Sequence, residues 1–180
     1  MNVSRAPGEL ELVRAFVNTL DVEDAADELA NPGALTGWLS AHGLLRGGTA
    51  TRADLANARR LREALRVLLL ANNGVSVRKE AAVTLNRAAR RAGLGVRFEP
   101  VGTARVEPEA RGVDGALGRL LAIVSVAMAD GSWSRLKACR AEDCRWAFYD
   151  RARNRSRHWC SMAVCGNRTK ARTFRHRHAA

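Results

Sequence analysis

Apolar residues recur at intervals of three and four through the first 134 positions, a period that predicts a chain of helices. Leu10, Val13, Phe16, Val17 and Leu20 form one stripe, placing a helix from about Glu9. Asn31-Pro32-Gly33 interrupts the pattern, and a short helix over 35–41 carries Trp38 and Leu39 as far as Gly43. Beyond Gly47-Gly48, Thr51 stands as the N-cap of a long helix ending near Ala71. Its buried stripe is Leu55, Ala58, Leu61, Leu65, Leu68 and Leu69. Asn72-Asn73-Gly74 reads as a stop, because these residues accept positive φ. Ser76 is placed to cap a further helix that presents Val77, Ala81, Leu85 and Ala88 and ends at Gly93.

The period then shortens to two. Val96–Glu99 and Ala104–Glu107 alternate apolar and polar around Pro100 and Gly102, which predicts a hairpin near 96–107. Such a hairpin is marginal alone and must pack on the helices. A last helix over about Val113–Asp130 has Leu117, Leu120, Leu121, Val124 and Met128 on one side. Ile123 and Val126 make it apolar nearly all round, which predicts the central buried helix. The expected fold class is therefore mainly α with a short β-hairpin, a multihelical N-terminal domain over 1–132.

The four cysteines lie outside this pattern, all of them within 139–165. Cys139 and Cys144 bracket four residues, as do Cys160 and Cys165, and a longer loop joins the pairs. Two short-spaced pairs on one loop are what a tetrahedral thiolate site needs, which points to one structural Zn2+ per chain. Four thiolates leave no open coordination position, so the site is structural and not catalytic. His158, two residues before Cys160, is the alternative ligand, and a disulfide or redox pair is the alternative chemistry. No unbroken apolar run approaches membrane length, and Met1–Gly8 has no signal-peptide character, so a cytoplasmic, reducing setting is expected.

Charge changes the picture of the same segment. The chain carries a net +12, of which residues 135–180 hold 13 Lys and Arg against three acids, a net of +10. Residues 1–134 hold 17 against 15. A basic block beside a metal module favours a polyanionic partner, with double-stranded DNA the expected one. Arg151, Arg153, Arg155 and Arg157 alternate, so an extended segment would set all four on one side. Arg168, Lys170, Arg172, Arg175 and Arg177 follow on a predicted helix, where Arg168, Arg172 and Arg175 share a face. Arg168 is alternatively a structural partner of Asp150 or of a finger carbonyl.

The stretch from Trp133 contains Cys144-Arg-Trp146-Ala-Phe148-Tyr149-Asp150, then Asn154, Trp159-Cys160-Ser161 and Cys165-Gly166-Asn167-Arg168. It resembles the CGNR zinc-finger family, including the four residues that name it. Phe16-Val17-Asn18-Thr19 with Asp21, and Trp38-Leu39 before Gly43-Leu44, resemble the ABATE domain that accompanies this finger. The resemblance implies an ABATE-like domain over 1–132 and a finger with a basic C-terminal helix over 133–180. Relatives are described as transcription regulators linked to stress, a label itself inferred from domain architecture. The residues fit a small treble-clef-like layout: a Cys139–Cys144 knuckle, a strand through Trp146–Tyr149, and a helix capped by Ser161. Zinc would contribute about 10 kcal/mol or more to folding so small a unit.

Elsewhere the chain offers little chemistry. There is no glycine-rich phosphate loop and no Ser-His-Asp spacing. His42 reads as a surface or capping residue. The acids Asp21, Glu23, Asp24, Asp27 and Glu28 read as the first turn of a helix. The leading expectation is a non-enzymatic, DNA-binding regulator with an N-terminal sensor or assembly domain, open to a small-molecule effector and to homodimer formation. The rivals are a finger that docks RNA or protein, and an enzyme or ligand-binding protein with its site at Asn18, Asp21 and Trp38.

Overall fold

The computed structural model describes residues 4–76 and 79–178, with side chains for all of these but 173 and 176–178. Helix α1 (Leu10–Val17) leads into a small hairpin of β1 (Leu20–Asp21) and β2 (Ala26–Asp27). The acidic cluster therefore lies on a strand pair and its turn, not on a helix. Asp21 accepts the N–H groups of Glu23 and Asp24, and that local turn competes with helix. Helix α2 (Pro32–Ala41) starts three residues earlier than expected. Asn31 caps it by accepting Ala34 N–H, and Pro32 sits in its first turn, so the apparent break is a start. His42 closes α2, with Nδ1 2.8 Å from Trp38 O and its ring stacked on Trp38.

Helix α3 (Arg52–Ala71) opens with a full capping box, in which Thr51 and Asp54 bond reciprocally. It is followed by α4 (Lys79–Arg91); the expected Val77 contact lies outside the described residues. Strands β3 (Leu94–Phe98) and β4 (Ala104–Pro108) pair in register from Leu94↔Pro108 to Phe98↔Ala104. The base of this hairpin lies against α5 (Gly112–Ala129), and Gly118 makes the approach possible. A Cβ there would stand 2.5 Å from Ala92 Cβ and 2.8 Å from Pro108 Cβ.

Leu117, Leu120, Leu121 and Val124 of α5 join Phe16, Leu39, Leu61 and Leu65 in one core. By length and composition α5 could cross a membrane, yet 61% of it is buried in the fold, as a core helix would be. It is not apolar-buried all round. Val126 and Met128 are 54% and 47% exposed, so the C-terminal part of its outer side is left uncovered by the described residues.

A 3-10 turn (Ser132–Arg135) leads to β5 (Leu136–Ala138) and β6 (Ala147–Tyr149), an antiparallel pair. The loop between them holds Cys139 and Cys144, so the knuckle is the hairpin's own turn. After residues 150–159 a π-helical turn (Met162–Gly166) enters α6 (Asn167–His178). The finger is not a separate appendage. Leu136, Ala138, Ala147 and Tyr149 belong to the same core as the helical body, while Phe148 on the other face joins the cysteines.

Candidate metal centre and its basic surroundings

The strand pair β5–β6 has two outer edges, and unpaired edge groups need partners. The body supplies them. Asn18 at the end of α1 donates to Ala147 O (2.9 Å) and accepts Ala147 N–H (2.7 Å), standing in for a neighbouring strand. Asn72 donates to Trp133 O and Leu136 O on the opposite edge. Asn73 donates to Ala138 O and His158 O and contacts His158 Nδ1 through its own oxygen. Arg66, 4% exposed, reaches from α3 to Arg145 O in the knuckle and to Val17 O. The asparagines that read as a helix stop are thus the fastening of the finger. Only Gly74 there takes positive φ, at 79°.

Held in this way, the four cysteines converge. All are buried, and their sulfurs lie within 4.8 Å of one another. Cys144–Cys160 and Cys160–Cys165 are 3.6 Å apart. That is far beyond a disulfide bond of about 2.0 Å. It is close to the roughly 3.8 Å edge of a tetrahedron with 2.3 Å zinc–sulfur bonds. The electrostatics agree with a cation. Hydrogen bonds from the Cys144 and Cys160 thiols push the Cys139 thiol down to about 2, helped by the Ala141 and Cys160 amides. With that first thiolate in place, its contact pushes Cys144 up to about 12, and Cys160 rises too. Several thiolates can share this space only around a positive ion. The four residues fit one structural zinc, with no open position. His158 is not a ligand, since its Nδ1 is engaged by Asn73 and the cysteine set is complete without it.

The basic residues divide into committed and uncommitted sets. Residues 151–157 are not extended: Arg155 N–H bonds Ala152 O in a turn and Arg155 has φ 52°. The expected four-arginine row is therefore broken. The cause is Lys137, which sequence reading missed. Buried in β5, its ammonium donates to Asp150 Oδ2 (2.8 Å) and to the carbonyls of Arg155 and Arg157, drawing the loop inward. Its signal was a charged residue in an apolar triplet, Leu136-Lys137-Ala138. Burial opposes ionisation of Asp150, but Lys137 and the amides of Ala152 and Arg157 outweigh it and hold its carboxyl below the usual range. Arg151 donates to Arg5 O, Arg155 to Ser134 Oγ, and Arg157 to Cys160 O while lying over Phe148.

On α6, Arg168 and Arg172 do share a face, but it turns onto acids. Arg168 pairs with Glu23 (2.6 Å) and Asp143 (3.5 Å), and Arg172 with Asp143 (2.9 Å). Arg168 is thus structural toward Glu23 and Asp143, not toward Asp150, which belongs to Lys137. It also approaches Cys165 Sγ at 3.8 Å, a cation beside the thiolate set. Arg153, Lys170 and Arg175 are exposed, and their side chains make no hydrogen bond or ion pair among the described residues. The side chain of Arg177 lies outside the described residues.

The N-terminal candidates are not gathered around a cavity. Asn18 is spent on Ala147, Asp21 on its own turn, and Trp38 on Phe16 and His42. None of them lines the large groove beside α5.

Two family models match the chain. Residues 135–178 match the CGNR zinc finger, and residues 10–131 match ABATE, described as "Putative stress-induced transcription regulator". No curated protein matches it. The four-sulfur centre lies inside the first match, and the second match spans more than half of the chain, so the protein belongs to the ABATE family and carries a CGNR zinc finger toward its C-terminal end.

Proposed function

We propose that this protein is a DNA-binding transcription regulator, with the finger on the phosphate backbone and the helical body as sensor or assembly domain. The supporting observation is the division among the finger's cations. Arg168 and Arg172 are neutralised by acids, whereas Arg153, Lys170 and Arg175 stand exposed, their side chains without partners among the described residues, on a segment of net +10. Unpartnered cations on a rigid frame are what a polyanion selects. The description of the matching N-terminal family supports the regulatory half.

The reading is of a binding protein, not an enzyme. The metal site is closed by four sulfurs, and the polar groups of the body that invited a catalytic reading are engaged in turns and strand edges. A reducing cytoplasm suits four free thiols gathered on a metal.

If Arg153, Lys170 and Arg175 contact phosphates of duplex DNA, log K falls with log[salt] at a slope near roughly −2.7. Replacing all three by Ser is expected to flatten that slope toward zero while zinc content stays at one per chain. A loss of affinity with the slope unchanged would falsify phosphate contact by these residues. Sequencing of bound genomic fragments tests the regulatory half, for which a reproducible motif is expected.

A further inference from the structure

The hairpin β3–β4 is anchored at its base and bare at its tip. Val96, Phe98 and Val101 are 61%, 81% and 83% exposed, a dense apolar cluster for so short a stretch. Isolated exposed apolar residues are ordinary, but a cluster marks a contact surface. Glu99 is the only charge between Phe98 and Ala104.

The same hairpin forms one wall of a groove of about 1210 Å³ that runs along α5. Ala104 and Val106 belong to that wall, Ile123 and the half-exposed Val126 line it from α5, and Arg46 and Arg111 are also in the lining. Neither arginine has an ion pair or side-chain hydrogen bond among the described residues, whereas Arg119, also lining the groove, is held by Glu9 at 2.7 Å. The groove is thus mixed: apolar side chains of α5 and the hairpin alternate with charges, of which Arg46, Arg105 and Arg111 have no ion pair among the described residues, against one carboxylate without an ion pair, Asp130, which accepts Ser132 N–H.

We propose that the occupant is the hairpin tip of a second copy of this chain. The tip presents apolar side chains around one carboxylate, and the groove presents apolar side chains among more unpaired guanidinium groups than unpaired carboxylates. Knob and groove lie side by side on one molecule, so a two-fold pairing seats each tip in the partner's groove at once. That doubles the buried area, which a stable interface needs if it is to pass about 1,000 Å². The volume exceeds the roughly 300–1,000 Å³ common for small ligands, and a small ligand would leave Phe98 and Val101 bare. The contact uses neither the zinc nor the basic surface.

The test is sedimentation of the full-length, zinc-loaded protein over a dilution series. A concentration-dependent dimer is expected. Phe98→Ser removes the knob and Val126→Asp spoils the groove. Each is expected to raise the dimer dissociation constant by about 30-fold or more, as for loss of one central anchor. Mixing the two variants gives a heterodimer with one intact contact, which is expected to be tighter than either variant's own dimer. Glu99→Arg, on the exposed turn, weakens the dimer without touching the core. Circular dichroism and zinc content show that each variant is folded. A monomer at every concentration, a dimer indifferent to these substitutions, or no recovery on mixing overturns the proposal. Association that appears only with an added small anion assigns the groove to that anion and overturns it as well.

Discussion

The helical body and the finger each set a carboxylate on a buried cation, and these two pairs have different reserves. In the body, Arg62 is 3% exposed and holds Asp27 bidentately at 2.6 and 3.1 Å. Asp27 also has Arg59 at 3.3 Å and the Leu29 N–H, and it keeps 20% of its side-chain surface. In the finger, Asp150 is fully buried, and among the described residues its carboxylate has one cationic partner, Lys137. The cores differ in the same sense. The body packs leucines from four helices, whereas the finger's own cluster is Phe148, Ala141, four cysteines and two flanking tryptophans. A region with many redundant contacts tolerates the loss of one; a region built around a single ion does not.

The largest expected effect follows from that. Cys160→Ser, or removal of zinc by a chelator, is expected to unfold the finger, withdrawing about 10 kcal/mol or more. Helices α3 and α5 are expected to keep their amide protection while β6 and α6 exchange freely. The body should also melt at a lower temperature, because Leu136, Ala147 and Tyr149 leave the shared core. Finger amides that stay protected without zinc would break the comparison.

The ion pairs come next. Lys137→Met leaves Asp150 buried and unpaired, at an expected cost of about 3–5 kcal/mol. Arg62→Met is expected to cost less, because Asp27 retains Arg59, the Leu29 amide and contact with water. The pH dependence carries a sign. The native carboxyl of Asp150 titrates below its unfolded value, so its contribution is present at neutral pH and is lost as pH falls through that lowered value. In Lys137→Met the Ala152 and Arg157 amides remain but the ammonium that outweighed burial is gone, so the Asp150 carboxyl rises relative to the wild type and the variant is expected to trail it most at neutral pH. The gap should narrow as pH falls through the carboxylate range. Denaturant midpoints of both proteins at matched pH read this directly, and equal deficits at neutral and acid pH would sink it.

What could be read in the sequence follows the same division. The body announces itself by period: Thr51 with Asp54, the leucine stripe of α3 and the alternation of 96–107 each act locally, so local rules find them. The four cysteines are legible because a metal imposes their spacing. The seam is not. Asn72 and Asn73 look like a helix stop from their neighbours and act as a strand-edge partner only across 64 to 85 positions. The fate of the arginines was equally hidden. Whether Arg168 meets a phosphate or Glu23 depends on a hairpin 145 residues away. The alternation of 151–157 predicts a row only if nothing draws the loop inward, and Lys137 does so from a strand that spacing did not reveal.

The seam gives the smallest of these effects and the sharpest separation of the two regions. Asn73→Ala strands the buried carbonyl of Ala138 and removes one of two donors from His158 O, which keeps Arg140 N–H; each carbonyl stands within two residues of a cysteine on the metal centre. Asn18→Ala strands the N–H and C=O of Ala147, on the opposite edge and three residues from Cys144. Each is expected to cost about 1–3 kcal/mol of stability, as unsatisfied buried groups do. They should differ in a second readout. Without Asn73 the backbone on both sides of the sulfur cluster loses its support, so zinc is expected to pass more readily to a competing chelator. Without Asn18 the shared core loosens while the cysteine-bearing turns keep theirs, and zinc retention should stay near the wild-type value. Equal zinc retention in the two variants would mean that the metal centre stands without the body, and that the seam only docks a finger already folded.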